Sequence, residues 1–409
     1  MAVPVGQERE LYDLILRDAT IVTSAGREVA DVAIKNDKIA YVGARPPRRA
    51  REEIKAIGKF LMPGVIDTAV QFAPTKDMSI WAGESAAAAT GGVTTVVCLP
   101  GGEQPVVDST SASKRIKAIN GHSHCHFALW GGAGHDNAPA LQAAARKGLI
   151  VGALACIGKD TGEVVLDPEE LDKHIGIEGV LGVRSSNEDP DSQVIDSARK
   201  RERGLHIVHL STAKELHLLD PVRGDLPVTA GVTAHHLFLS QEGLNGRASD
   251  IATTPPVRPE HDRRTLWTAM KRGRLDCVAS DHHPTRPGEV GIPGSELLFP
   301  LMLSAVKYGR LSLELLVSLC SEAPARIFGL ENKGRIERGA DADMVLFSEG
   351  DLTRVAEGEL LSAAGWSPYS DREAATKPDL VIIGGRIVAQ RGQLIDEQAH
   401  GTFVRGPTA

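Results

Sequence analysis

No run in this sequence approaches the ~18 consecutive apolar residues that a membrane-crossing helix needs, so no span is expected. The opening residues, Met-Ala-Val-Pro-Val-Gly-Gln-Glu-Arg-Glu, lack a basic stretch followed by an apolar core, so no secretory signal is expected either. Cysteine is scarce and odd in number, five in 409 residues, with no Cys-x-x-Cys pair. That argues against a disulfide framework and against the usual cysteine zinc motifs. Cys98, Cys125, Cys156, Cys277 and Cys320 fall mostly in apolar runs, which suits buried free thiols in a reducing cytoplasm. Basic clusters are short, the longest being Arg48-Arg-Ala-Arg51 and Arg199-Lys-Arg-Glu-Arg203, and both read as solvated faces. With a formal net charge of −7, the chain has no broad surface for nucleic acid.

What is present is ordinary globular composition, 42% hydrophobic and 24% charged, in a chain long enough for one large domain and a smaller one. Short alternating segments occupy the beginning, Leu14 to Thr23 and Val32 to Gly43, with a hairpin signal at Lys35-Asn-Asp-Lys38. The same texture returns at Asp341 to Phe347 and Leu380 to Ala389. Between them, apolar strands alternate with helical stretches, the pattern of βα units on a parallel sheet. Eight candidate strands begin near Gly64, Val93, Cys125, Leu149, Val180, Leu205, Val228 and Leu275. Eight units are the count of a TIM (β/α)8 barrel. The expected architecture is therefore such a barrel over residues 61–334, inserted in a small β-sandwich domain formed by both termini, 1–60 and 335–409. A barrel of this kind carries its chemistry at the C-terminal ends of its strands.

Several motifs resemble the cyclic amidohydrolases, the family of dihydroorotase, hydantoinase and allantoinase. They are Leu61-Met-Pro-Gly-Val-Ile-Asp67, Ala89-Thr-Gly-Gly-Val-Thr-Thr-Val96, His206-Ile-Val-His-Leu-Ser-Thr212, Thr233-Ala-His-His-Leu237, Thr254-Pro-Pro-Val-Arg258, Ala279-Ser-Asp-His282 and Gly339-Ala-Asp-Ala-Asp-Met-Val345. The resemblance spans nearly the whole chain. Trp130-Gly-Gly132 leans towards allantoinase, while His235-His236-Leu237 and the Thr254 motif lean towards dihydroorotase. It implies one or two divalent metals that make hydroxide from water, held by two histidines of strand 1, in many members a carboxylated lysine of strand 4 (some dihydroorotases lack it), one histidine each from strands 5 and 6, and an aspartate of strand 8.

Matched position by position, much of that set is missing. Strand 1 reads Pro63-Gly-Val-Ile-Asp-Thr-Ala-Val-Gln71, with Ala69 and Gln71 where the histidines belong. Alanine has no donor atom, and a neutral amide is a poor zinc ligand beside imidazole. Leu154 stands for the lysine, and matching Ser185-Ser-Asn-Glu-Asp-Pro190 to the family's Val-His-Ala-Glu-Asp-Pro puts Ser186 at the strand-5 histidine. His209 and Asp281 keep the strand-6 and strand-8 positions. The substrate-gripping arginine and two asparagines are replaced by Ala73, Gly101 and Thr254. For His209 and Asp281, three readings stay open: a retained polar pair filling the old cavity, a weak site for one zinc ion, or a metal-free acid/base dyad. No metal or other cofactor is otherwise expected. His235, His236, Thr254 and His282 are the candidate substrate contacts, with His283 and Glu188 nearby at the barrel mouth. His122, His124 and His126 alternate on one face, but at the start of strand 3, away from the active end, so a structural role is expected for them.

The resemblance therefore implies a dihydroorotase-like chain of this superfamily that has lost most metal ligands. The reading is a non-catalytic homologue that acts as a structural or regulatory partner. Inactive relatives that assemble with aspartate carbamoyltransferase suggest that enzyme as the partner, and self-association through barrel helices is the family habit. The alternatives are an enzyme with a rebuilt single-metal or metal-free site at His209 and Asp281, acting on a cyclic amide or similar small substrate, and a binding module that uses the vacated cavity.

Overall fold

The computed structural model describes residues 11–73, 76–157, 164–166, 170–185, 191–370 and 372–408. Ser186 and Glu188 lie outside them. Nine strands pair into one sheet, starting with Tyr12–Thr23, Gly26–Lys35 and Lys38–Gly43 and drawing Met344–Phe347, Leu380–Ile383 and Arg386–Gln390 from the other end of the chain. The hairpin at Lys35-Asn-Asp-Lys38 closes with Lys35 opposite Lys38, and Asn36 takes the left-handed conformation that such tight turns need. Alternate residues, among them Leu14, Leu16, Val32, Ile34, Leu61, Met344 and Ile382, form one buried apolar cluster. Phe60–Pro63 joins this sheet by pairing with Met344–Phe347. The chain passes into the barrel at Gly64, whose amide donates to Asp343 O.

The barrel strands are Val65–Val70, Val93–Cys98, His126–Leu129, Gly152–Ile157, Val180–Ser185, Leu205–Ile207, Val228–Thr233 and Cys277–Ala279. They match the eight apolar runs read from the sequence, because strands covered on both faces are apolar along their length. All adjacent pairs run parallel. Strand 3 continues into Gly131–Gly132, which pairs with strand 4. The ring closes where Val70 meets His282, with Gln71 N donating to His282 O at 2.8 Å. Asp67 reinforces this seam by accepting from Ser280 N and Ser295 Oγ.

Two further segments tie the units together. Beyond the last small strand, Phe127 N donates to Thr402 O and Val404 N to Phe127 O, so the end of the chain runs along the barrel. Part of the loop between Leu352–Arg354 and Glu373–Ala375 packs against the barrel. There Leu361 and Ser362 donate to Glu296, Ala363 donates to Glu84, and the Trp366 indole donates to Thr285 O. Among the described residues no helix is long and apolar enough to cross a membrane, and all five cysteines are buried and in no disulfide.

Candidate functional site

The barrel interior is packed with apolar groups. Ile66, Ala69, Val97, Trp130, Leu154, Cys156, Val208 and Ala279 belong to one buried cluster, joined by Phe328. Trp130 meets Phe328 edge-on at 5.2 Å, and its indole N–H donates to Thr68 O at 3.3 Å. Gly182 makes room for that ring: a Cβ there would stand 2.6 Å from the Trp130 side chain. Ala69 and Leu154, the positions of a strand-1 histidine and of the lysine, are therefore part of a close-packed core, and neither is accessible to solvent.

Above that plug, at the mouth, the remaining polar groups converge. His209 Nδ1 is 3.6 Å from Asp281 Oδ2, and both side chains are almost wholly buried. Each residue sits in left-handed backbone, φ 62° and φ 54°. For residues other than glycine this conformation costs about 1–2 kcal/mol, and such outliers concentrate at functional positions. The same Asp281 oxygen lies 3.7 Å from Arg184 Nη2. Strand 5 explains the arrangement: Gly182 faces the interior, Val183 the outer helices, and Arg184 the interior again, one layer higher. Arg184 also donates from Nε and Nη2 to Thr254 O, at 3.2 and 2.6 Å, which ties the Thr254 loop to strand 5.

Burial pushes His209 down to about 3, so its ring is neutral near pH 7. Burial alone would push Asp281 up, but interaction with His209 and with the charged Arg184 outweighs it and holds the acid well below the usual carboxylate range. Arg184 is the permanently charged member of the group.

The other predicted residues divide. His235 is fully buried beside His236, ring centroids 4.3 Å apart, and burial lowers its pKa well below the ordinary value. Neither of its ring nitrogens has a hydrogen-bond partner among the described residues; the same holds for both nitrogens of His209 and for Asp281 Oδ1. His236 uses both nitrogens, Nδ1 with Thr233 Oγ1 at 2.7 Å and Nε2 with Pro256 O at 3.1 Å. His282 points away into the strand-1 seam: Nδ1 accepts from Gly294 N and Ser295 N, and Nε2 lies 3.1 Å from Glu84 Oε2. Thr254 takes part through its carbonyl. Gln71 reaches the seam through its backbone, and its side-chain nitrogen has no partner among the described residues. His283 sits half-buried, its Nδ1 3.1 Å from Asp281 O. The three alternating histidines do not converge. His122 is exposed, and His126 lies at the opposite end of the barrel, 3.2 Å from Asp343 and bonded to Thr402 Oγ1.

Sequence reasoning missed Arg184. The available signal was a charged residue at an inward position of an otherwise apolar strand. The donor set does not fit a divalent metal: Ala69 and Leu154 offer no ligand atom, Gln71 offers only an amide, and Arg184 is a cation beside Asp281. Among the described residues no group of three or more His, Cys, Asp or Glu side chains is placed to hold a metal ion.

A family model described as the amidohydrolase family matches residues 164–388. The allantoinase of Rubrobacter xylanophilus is 30% identical, over 96% of this chain and 98% of that protein. The dihydroorotase of Pyrococcus furiosus is 29% identical, over 91% of this chain and 92% of that protein. Among solved structures, the L-hydantoinase (dihydropyrimidinase) from Arthrobacter aurescens superposes with a TM-score of 0.90 at 24% identity, covering 97% of this chain and all of that one.

Proposed function

This chain belongs to the amidohydrolase family, and we propose that it keeps the family barrel as a non-catalytic structural or regulatory partner instead of a metal-dependent hydrolase. The observation that carries this reading is the packed apolar interior around Ala69, which stands where a strand-1 ligand belongs, and Leu154, which stands where many members carry the lysine. By analogy with inactive dihydroorotase-like chains, aspartate carbamoyltransferase is the partner to test first. Fold alone does not assign a partner, so the proposal rests on its experiment. Co-expression with the carbamoyltransferase of the same genome is expected to yield a co-migrating complex and altered transferase activity. Separate monodisperse peaks with unchanged kinetics would refute the partnership. The same chromatography tests our further expectation of a homo-oligomer.

Direct assay is expected to show no metal-stimulated hydrolysis of dihydroorotate, allantoin or hydantoin. The single variant Ala69→His is expected to stay inactive, since Gln71, Leu154 and Arg184 still oppose a metal. Measurable hydrolysis by that variant would contradict the reading.

A second reading is supported by the unpartnered nitrogens of His209 and His235 and by Asp281 Oδ1. Buried polar atoms without partners each cost about 1–3 kcal/mol, a cost that a small polar ligand would relieve. On this reading the mouth binds, or turns over without metal, a small cyclic amide. A rise in melting temperature with 5-substituted hydantoins, lost in His209→Ala, would favour it; no shift at millimolar ligand would count against it.

A further inference from the structure

We infer that the Arg184 guanidinium is the resident cation of this barrel mouth, standing in electrostatically for a divalent ion and keeping metal off His209 and Asp281. The inference deepens the non-catalytic reading and rests on it. Three observations carry it. The strand-5 alternation directs Arg184 inward at the layer above Gly182, with 4% of its side chain exposed. Its head is held by two donations to Thr254 O, so it cannot readily swing aside. Its Nη2 and His209 Nδ1 approach the same carboxylate oxygen, Asp281 Oδ2, at 3.7 and 3.6 Å.

A zinc ion shared by His209 and Asp281 would stand about 2.0–2.2 Å from each donor atom. It would then lie within a few ångströms of a fixed positive charge, in a buried site where such repulsion is weakly screened. The repulsion lowers affinity by at least about a hundredfold. Asp281 is meanwhile neutralised by a group that cannot lose its proton. The barrel mouth thus lacks donors at the strand-1 and strand-4 positions and carries a cation beside the aspartate that remains. The mobile ionic charge of a hydrolase is replaced by a covalently attached one, which cannot polarise water as a Lewis acid.

The test is metal binding, read by the visible absorption of cobalt(II) and by equilibrium dialysis with zinc, on full-length protein whose folding is checked by near-UV circular dichroism. Native protein and Arg184→Lys, which keeps the charge, are expected to retain less than about a tenth of an equivalent. Arg184→Gln removes the charge and adds no strong ligand; it is expected to bind cobalt at least about a hundredfold more tightly. Arg184→His also supplies a third donor and is expected to bind more tightly still. Adding His209→Ala to either is expected to abolish the gain, which locates the ion. If Arg184→Gln does not fold, Arg184→Leu, which removes the charge and adds no ligand atom, carries the test.

Folded Arg184→Gln with no gain over native protein would overturn the inference and leave the non-catalytic reading standing. A gain in Arg184→His alone, with Arg184→Gln folded and unchanged, would assign the effect to donor number and overturn the role of charge. Stoichiometric zinc in the native protein would overturn both proposals together.

Discussion

Leu154→Lys is expected to destabilise the protein by about 4 kcal/mol, the upper range for a single substitution. This lysine is the residue that the resemblance leads one to expect, so restoring it is the natural reversion. The structure explains why it should fail. Leu154 is inaccessible to solvent, shares a cluster with Trp130, Val208 and Ala279, and lies against Gly182. A lysine there is longer than leucine and brings an ammonium without a paired carboxylate. Overpacking costs about 1–3 kcal/mol, and an unpaired buried charge adds several more unless the amine gives up its proton. Leu154→Met, which nearly conserves volume, is expected to cost less than about 1.5 kcal/mol. Urea denaturation of the two variants checks this directly. Equal midpoints for Leu154→Lys and the native protein would mean that the interior has room the packing does not show, and the non-catalytic reading would lose its main support.

The second large effect is expected at the junction of barrel and sheet. Lys333 is buried between Asp341 and Asp343, at 2.8 and 2.5 Å, and Asp343 also lies 3.2 Å from His126 on barrel strand 3. Gly384 N donates to the same Asp343 carboxylate, so one side chain joins the barrel to two parts of the small sheet. Burial opposes the charge on Asp343, but Lys333 and His126 outweigh it and hold the acid well below the usual carboxylate range. Lys333→Met removes the buried cation and leaves two carboxylates facing each other. Breaking such a buried pair costs about 3–5 kcal/mol.

The pH dependence follows from the sign of the shift. A carboxyl whose pKa is depressed by folding contributes stability that is complete above its unfolded value, near 4, and is lost as pH falls towards the folded value. Native protein is therefore expected to lose stability below about pH 4 with a contribution from Asp343 that Asp343→Asn lacks. Parallel acid-unfolding curves for the two proteins would show that the network does not hold the junction.

Much of this molecule was legible in its residues. The eight parallel strands showed because strands buried on both faces are apolar throughout and recur with helical stretches between them. His209 and Asp281 showed because each ends a barrel strand within a recognisable local motif, and the structure brings them to 3.6 Å. His282 was legible as a neighbour of Asp281 but not as part of the seam, since adjacent residues at a strand end point in different directions. Its two contacts, with the Gly294–Ser295 amides and with Glu84, come from distant parts of the chain.

Composition and local pattern determined the barrel, the sheet built from both ends and the absence of donor atoms at residues 69 and 154, because these depend on periodicity and side-chain identity. Only the folded chain decided that Trp130 and Leu154 fill the interior and that Arg184 turns inward onto Asp281. Those outcomes depend on which faces of eight separate strands come together when the ring closes. A linear pattern records that a strand has two faces, but which side chains meet across the lumen is set by the register between strands far apart in sequence.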